Sequence, residues 1–154
     1  RAVEAMQRIA LASEDCLRTQ PSAAKHAADA LVGDEPAAVL ARSMAQMATD
    51  GHARAIVAWT DARSIRSISQ TDVNVPVYAF ADSDADLRSL GLLRGVRPMR
   101  MRRPHDSRDF VRDAERILRK ARLLAARDRI VVATGFAGRG TERLWLRQVG
   151  AKAV

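Results

Sequence analysis

The chain has 154 residues and a formal net charge of +8, and 47% of its residues are hydrophobic. This length predicts one domain with room for an appended helix, and the hydrophobic content excludes a compositionally disordered chain. The single cysteine excludes an intrachain disulfide and favours a reducing compartment, and no apolar run is long enough to predict a membrane span. The excess of basic residues, 26 against 18 acidic ones, is compatible with a nucleic-acid binder.

The first fifty residues predict two helices joined by a connector. Residues 2–17 carry apolar side chains at helical spacing, which indicates an amphipathic helix whose apolar face needs a partner. We interpret residues 18–33 as the connector. Asp34 and Pro36 are typical of a helix start, and this second helix is predicted to end at Gly51. Because the sequence begins without Met and inside a helical pattern, we interpret it as a piece of a longer protein.

Residues 53–98 have the pattern of a parallel β-α-β unit. A buried strand is predicted at Ala55–Trp59, and after a short helix a second strand follows at Pro76–Phe80. The next helix is predicted to close at Gly95. In open parallel sheets, ligands bind at the carboxyl ends of the strands. The loop Thr60–Ser64, directly after the first strand, is therefore the first candidate for a site.

The remaining sequence adds two strands, a helix and an edge strand. A third strand is predicted at Arg97–Arg102, a helix at about 108–125, and the most strand-like run at 128–134. The last strand, 144–149, is predicted to pair antiparallel at the sheet edge. The helix is expected to bury Phe110, Ala114, Ile117, Leu118, Ala121 and Leu124. The fold class is thus a three-layer α/β/α arrangement around a mostly parallel five-stranded sheet with an antiparallel edge strand.

Several of these residues resemble the C-terminal, allosteric alpha/beta domain of pyruvate kinase. That family reads P-[IV]-x-A-x-T, a helix with an Arg, and G-[VI]-x-P, which matches Pro76, Ala79, Arg88, Gly95, Val96 and Pro98. Its second half reads D-D-F, G-L-x-x-x-G-D and V-V-V-x-x-G, which matches Asp109, Phe110, Leu123, Asp128, Val131, Val132 and Gly135. Residues 1–17 resemble the last helix of the catalytic barrel and its linker, and 18–154 would be the C-terminal-like domain.

The resemblance implies a regulatory and oligomer-forming role in a cytoplasmic glycolytic enzyme. Pyruvate kinase transfers a phosphoryl group from phosphoenolpyruvate to ADP, and its catalytic residues, with Mg²⁺ and K⁺, belong to the barrel. None of those barrel motifs is present here, so this chain is expected to have no catalytic residue, no metal and no cofactor of its own, and to be inactive alone. The implied partners are the barrel, further copies in a tetramer, and a sugar-phosphate effector.

Two loops are the candidate effector site. A helix N-terminus attracts phosphate, hydroxyl and guanidinium groups add hydrogen bonds, and glycines let the backbone approach a ligand closely. The candidate anion-binding residues are Thr60, Arg63, Ser64, Gly138, Arg139, Gly140 and Thr141. The first loop departs from the family pattern T-x-S-G-R-[ST], because Ala62 replaces the Gly and Asp61 stands where a phosphate would lie. Alternatively, Arg63 pairs with Asp61 and the loops only close the sheet.

Three further interpretations stay open. The chain could be a stand-alone module that binds small anions or phosphometabolites on the same fold. It could be a basic nucleic-acid binder, although the dense cluster Arg97–Arg103 lacks aromatic side chains for base stacking and most other arginines are interleaved with Asp and Glu. On the edge strand, Trp145 could pair across a subunit boundary or cover the domain's own helix.

Overall fold

The structure is a computed structural model that describes residues 2–19, 36–71, 73–135 and 143–151. The chain divides into two units, 1–33 and 34–154. The described part of the first unit is one helix, α1 (Ala2–Thr19), and its apolar side chains Met6 and Ile9 are exposed. Among the described residues, no helix combines the length and the apolar character needed to cross a bilayer.

The second unit is an α/β domain built around one five-stranded sheet. Its sheet order is β3-β2-β1-β4-β5, in which the first four strands are parallel and β5 runs antiparallel to β4. This confirms the predicted fold class. The elements in chain order are α2 (Pro36–Asp50), β1 (Ala55–Trp59), α3 (Ala62–Gln70), β2 (Val77–Ala81), α4 (Asp84–Leu90), β3 (Val96–Arg100), α5 (Ser107–Lys120), β4 (Arg129–Thr134) and β5 (Arg143–Gln148).

The helices cover the sheet on both faces, which explains why its central strands are continuous apolar runs. Every residue of β1 and β2 is buried. Successive side chains of a strand point to opposite faces, so Ile56 and Ala58 join the core under α2, α3 and α4. Val57 and Trp59 join the core under α5. These are the three layers that the strand pattern predicted.

Helix α5 is seated on the sheet by an aromatic cluster. Phe110 is fully buried, and its ring centroid lies 5.6 Å from that of Phe80 in an edge-on arrangement and 6.3 Å from that of Trp59. Ala114 and Leu118 continue the buried stripe along the helix. The opposite side of α5 is charged and exposed, so one helix face belongs to the core and the other to the surface.

The end of α5 differs from the prediction. The helix stops at Lys120 rather than near residue 125, and Ala121 is exposed rather than buried. Arg122 has a left-handed φ of 58°, and the amide of Leu123 donates to the carbonyl of Leu118 at 2.9 Å. This is the Schellman termination that glycine usually provides. The sequence pattern missed it because an arginine occupies the left-handed position.

Gly51 ends α2, as predicted, but for a steric reason. A Cβ atom there would lie 2.6 Å from the carbonyl oxygen of Met47 and 2.8 Å from the side chain of Leu146 on β5. The left-handed position at this helix end belongs instead to His52, with φ of 48°. Glycine therefore allows the close approach of α2 to the edge strand.

Candidate functional site

The parallel strands bring the predicted loops to one edge of the sheet. Strands β1, β2 and β3 follow one another outward, and β4 returns to the other side of β1, so the strand order reverses between β1 and β4. Ligands of open α/β sheets bind in the crevice at such a reversal. The amide of Gly135 donates to the carbonyl of Trp59 at 2.8 Å. This bond places the start of the second candidate loop beside the start of the first.

The first loop is closed by a helix cap. Asp61 lies in extended conformation, with φ of −68° and ψ of 161°, and its Oδ1 accepts a hydrogen bond from the amide of Ser64 at 2.7 Å. The carboxylate thus occupies one of the free donors at the start of α3. Ser64 itself is buried, at 3% exposure, whereas Arg63 is exposed. The sequence analysis did not identify this cap, although an Asp directly before a helix is its usual signal.

The seven candidate residues divide between described and undescribed parts of the chain. Thr60, Arg63 and Ser64 lie together at the first turn of α3. The other four candidates, Gly138, Arg139, Gly140 and Thr141, lie outside the described residues. The structure therefore places three of the seven candidate residues beside the β1–β4 crevice.

Two further helix starts at this edge are capped in the same way. Ser83 Oγ accepts from the amide of Asp86 at 3.0 Å, and Asp106 Oδ1 accepts from the amide of Asp109 at 2.8 Å. The hydrogen bond from the amide of Asp109, supported by the charge of Arg108, holds the pKa of Asp106 below its ordinary value. We call this region, with the caps Asp61, Ser83 and Asp106, the carboxyl edge.

Comparison with known proteins identifies the family. A family model described as "Pyruvate kinase, alpha/beta domain" matches residues 38–143. The chain belongs to the pyruvate kinase alpha/beta domain family. That match covers the sheet from α2 to the first residue of β5, so the resemblance seen in the sequence is confirmed. No curated protein matches the sequence significantly.

Solved structures agree on the fold. The chain is similar to a pyruvate kinase from Cryptosporidium parvum, with a TM-score of 0.66 and 18% identity over 75% of this chain and 23% of that one. A second structure of Cryptosporidium parvum pyruvate kinase gives a TM-score of 0.65 and 18% identity over 73% of this chain and 22% of that one. The chain therefore spans less than a quarter of the length of these two structures.

The described residues do not bring potential metal ligands together in one place. They contain no group of three or more His, Cys, Asp or Glu side chains that could hold a metal ion.

The arginine cluster 97–103 lies on and after β3, where several of its members have protein partners. The Arg97 guanidinium lies 5.9 Å from the centroid of the Tyr78 ring. Arg100 forms an ion pair with Asp84 and donates to the carbonyl of Asp82 at 3.3 Å. These contacts use part of the positive charge that made the cluster a nucleic-acid candidate.

A second concave surface, missed by the sequence analysis, runs between α5 and the edge strand β5. We call it the α5–β5 groove. It has a volume of about 980 Å³ and is lined by one side of α5, by Arg143, Trp145 and Arg147 of β5, and by the following turn. Alternation along β5 puts these three side chains on the α5 side of the sheet. The sequence signals of this groove are this alternation and the arginines that are four residues apart on α5.

Proposed function

We propose that this chain is the regulatory and oligomer-forming domain of a pyruvate kinase. The family match over residues 38–143 carries the proposal, because it assigns the sheet and the β1–β4 crevice to that family. The parent enzyme would transfer a phosphoryl group from phosphoenolpyruvate to ADP in the cytoplasm. That chemistry would take place in a barrel outside these residues, with α1 as the last barrel helix and linker.

The proposed effector is a sugar phosphate bound at the β1–β4 crevice. Thr60, Arg63 and Ser64 would hold one phosphate at the start of α3, and the loop Gly138–Thr141 would hold the other side of the ligand. Asp61 opposes this, because its carboxylate already accepts from the Ser64 amide and repels an incoming phosphate. Two like charges 4 Å apart repel each other by about 1 kcal/mol in bulk water and by about 4 kcal/mol near a protein surface. The proposed site is therefore a weakened effector pocket.

The proposed oligomer contact is the edge strand β5. Among the described residues, β5 pairs with β4 on one side only, so its other side presents backbone hydrogen-bonding groups. Leu146 is 42% exposed on the face opposite Trp145. Trp145 packs against the cluster under α5, so the apolar contact with a partner would come from Leu146 rather than from the tryptophan.

The effector proposal is tested by restoring the family's loop chemistry. A thermal-shift screen against fructose-1,6-bisphosphate, other sugar phosphates, nucleoside monophosphates and inorganic phosphate should give a weak hit or none for the native chain. The variant Asp61→Ser/Ala62→Gly should bind the sugar phosphate more tightly, measured by titration calorimetry. The matched control is Asp106→Ser, which makes the same cap replacement at another helix. No gain in the double variant, or an equal gain in the control, would show that the loops have only a structural role.

The enzymatic part of the proposal has its own test. The purified chain should form no pyruvate from phosphoenolpyruvate and ADP above a blank reaction, with Mg²⁺ and K⁺ present. Any turnover that persists after repurification would contradict the assignment of catalysis to a separate barrel.

A further inference from the structure

The α5–β5 groove concentrates positive charge. Of its thirteen lining residues seven are Arg or Lys, and Glu115 is the one described carboxylate among them. Arg112 and Arg116 have partners at the outer rim, since they pair with Asp109 and Asp113. Within the described ranges, no carboxylate pairs with the remaining basic side chains Arg108, Arg119, Lys120 and Arg143. The groove therefore carries several cations that have no ion-pair partner among the described residues, although the charge of Arg108 also acts on Asp106 at the start of α5.

The acidic residue inside the groove is already neutralised. Glu115 is only 12% exposed, its Oε1 accepts from Arg147 Nε at 2.8 Å, and its Oε2 accepts from the amide of Gly150 at 3.0 Å. Both carboxylate oxygens are thus engaged, and the ion pair ties α5 to β5 and to the turn that follows. This connection fixes the two walls of the groove relative to each other, so the backbone positions that carry the cations are set before any ligand arrives.

The spacing of the cations suits a ligand with more than one anionic group. Arg108, Arg112 and Arg116 are four residues apart, so they rise about 6 Å from one to the next along α5. Across the groove, Arg143 and Arg147 lie two residues to either side of Trp145 on the same face of β5. Two rows of guanidinium groups thus face one volume, and guanidinium groups bind phosphate oxygens in pairs.

We propose that the α5–β5 groove binds a compact ligand that carries two or more phosphate groups. Its volume of about 980 Å³ matches small-molecule sites, which span roughly 300–1,000 Å³. A nucleic-acid strand fits less well, because such grooves combine their charge with several stacking aromatic side chains, and Trp145 is the one described aromatic residue that lines this groove. Asp109 and Asp113 on the rim would also repel a chain of phosphates that continued around α5.

This site is separate from the sugar-phosphate pocket at the β1–β4 crevice. Thr60, Arg63 and Ser64 do not line the groove, and α3 packs on the opposite face of the sheet from α5. The binding of a ligand in the groove can therefore be tested independently of the proposed effector loop.

The test uses inorganic triphosphate as the probe, with ATP and fructose-1,6-bisphosphate as further compact phosphates. Titration calorimetry of the full chain should give saturable binding of triphosphate that weakens as salt is raised. The variant Arg116→Glu/Arg119→Glu should bind at least about tenfold more weakly, because two contacts become repulsive. The matched control, Arg66→Glu/Arg88→Glu, makes the same change in net charge at exposed positions outside the groove and should bind like the native chain.

Tryptophan fluorescence locates the ligand. The chain has two tryptophans, and Trp59 is only 8% exposed, so Trp145 is the one that borders the groove. Triphosphate should change the emission of the native chain, and Trp145→Phe should remove this change while calorimetric binding persists. Equal weakening in both charge-reversal pairs, or no saturable binding up to millimolar triphosphate, would overturn the inference. Tighter binding of a single-stranded oligonucleotide that grows with its length would overturn it in favour of nucleic acid.

Discussion

The carboxyl edge and the α5–β5 groove are both candidate anion sites, but they differ in which hydrogen-bonding groups already have partners within the protein. At the carboxyl edge, a side chain occupies one free amide at each of three helix starts, and Asp61 and Asp106 bring a negative charge with the cap. In the groove, the one described carboxylate, that of Glu115, already accepts hydrogen bonds from Arg147 and from the Gly150 amide. Several guanidinium groups remain for a ligand.

The difference shows that charge alone does not define an anion site. A helix N-terminus attracts anions only while its amides are unoccupied. An Asp three residues before such an amide can accept its hydrogen bond without bringing a distant part of the chain close. The groove depends on distant residues, since Arg147 and Glu115 are 32 positions apart in the sequence. One region is set by local capping and the other by tertiary packing, and the two should respond to different mutations.

The largest expected effect on the free energy of unfolding comes from removing the packing beneath the groove. Phe110→Ala deletes the ring that holds α5 against Trp59 and Phe80, and large-to-small core substitutions of this kind cost about 3–5 kcal/mol. Urea unfolding should show this loss, and binding of triphosphate should fall with it. If the variant does not fold, Phe110→Leu removes fewer buried carbon atoms and should give a smaller, measurable loss.

The control for this prediction is Leu92→Ala. Leu92 is 88% exposed, so its truncation should change the free energy of unfolding by no more than about 0.5 kcal/mol. A loss below about 1 kcal/mol for Phe110→Ala would contradict the packing of α5 described here.

The next effect concerns the carboxyl edge. Asp61→Ala removes the acceptor for the Ser64 amide and should destabilise the chain by about 1 kcal/mol, whereas Asp61→Ser keeps an acceptor and should cost only a few tenths. Thermal unfolding at neutral pH separates the two variants. Neither should change triphosphate binding in the groove, and a change there would mean that the two regions are not independent.

A smaller effect is expected at the far end of α5. Arg122 holds a left-handed φ of 58°, which costs a non-glycine residue about 1–2 kcal/mol, and glycine would also make the unfolded chain more flexible. Arg122→Gly should therefore stabilise the chain by roughly 0.5 kcal/mol after both terms. Arg122→Ala is the control, because it removes the side chain and keeps the strained conformation, and it should give no gain. A gain in both variants would place the cost in the side chain rather than in the backbone.

The same residue shows what a sequence can and cannot reveal about the fold. The strands were predictable because β1, β2 and β4 are short apolar runs bounded by polar residues, and the parallel pairing of β1 with β2 followed from the β-α-β spacing. The end of α5 was not predictable from residue type, because arginines at positions 122 and 127 stand where the family pattern has glycine, and both have positive φ. A propensity argument expects a helix to continue through such residues.

The sites divide in the same way. The position of Thr60, Arg63 and Ser64 in the fold could be predicted from the sequence, because one loop contains them and the strand before it fixes their place. The groove could not, because Arg143 and Arg147 meet the arginines of α5 only through the pairing of β5 with β4. The interleaving of Arg with Asp along α5 was visible in the sequence, and in the structure Arg112 and Arg116 form ion pairs with Asp113 at the rim.

The smallest effect lies at Asp106, where the two regions meet. This residue caps α5 at the carboxyl edge, and the hydrogen bond from the Asp109 amide, followed by the nearby charge of Arg108, lowers its pKa in the folded chain. A lowered folded pKa means that the ionised cap adds stability above the ordinary carboxyl pKa, and that this contribution is lost as the pH falls through the folded value. Asp106→Asn keeps a capping side chain but removes the titration.

Thermal unfolding of the native chain and of Asp106→Asn between neutral and acidic pH tests this directly. The native chain should have the higher Tm at neutral pH, and the difference between the two should shrink on acidification, because protonated Asp106 becomes as neutral as the asparagine. Full exposure to solvent keeps this effect small, since water and salt screen the charges involved. A difference in Tm that stays constant with pH would mean that the Asp106 charge does not contribute to the cap, and the contrast between the acidic edge and the basic groove would then rest on Asp61 alone.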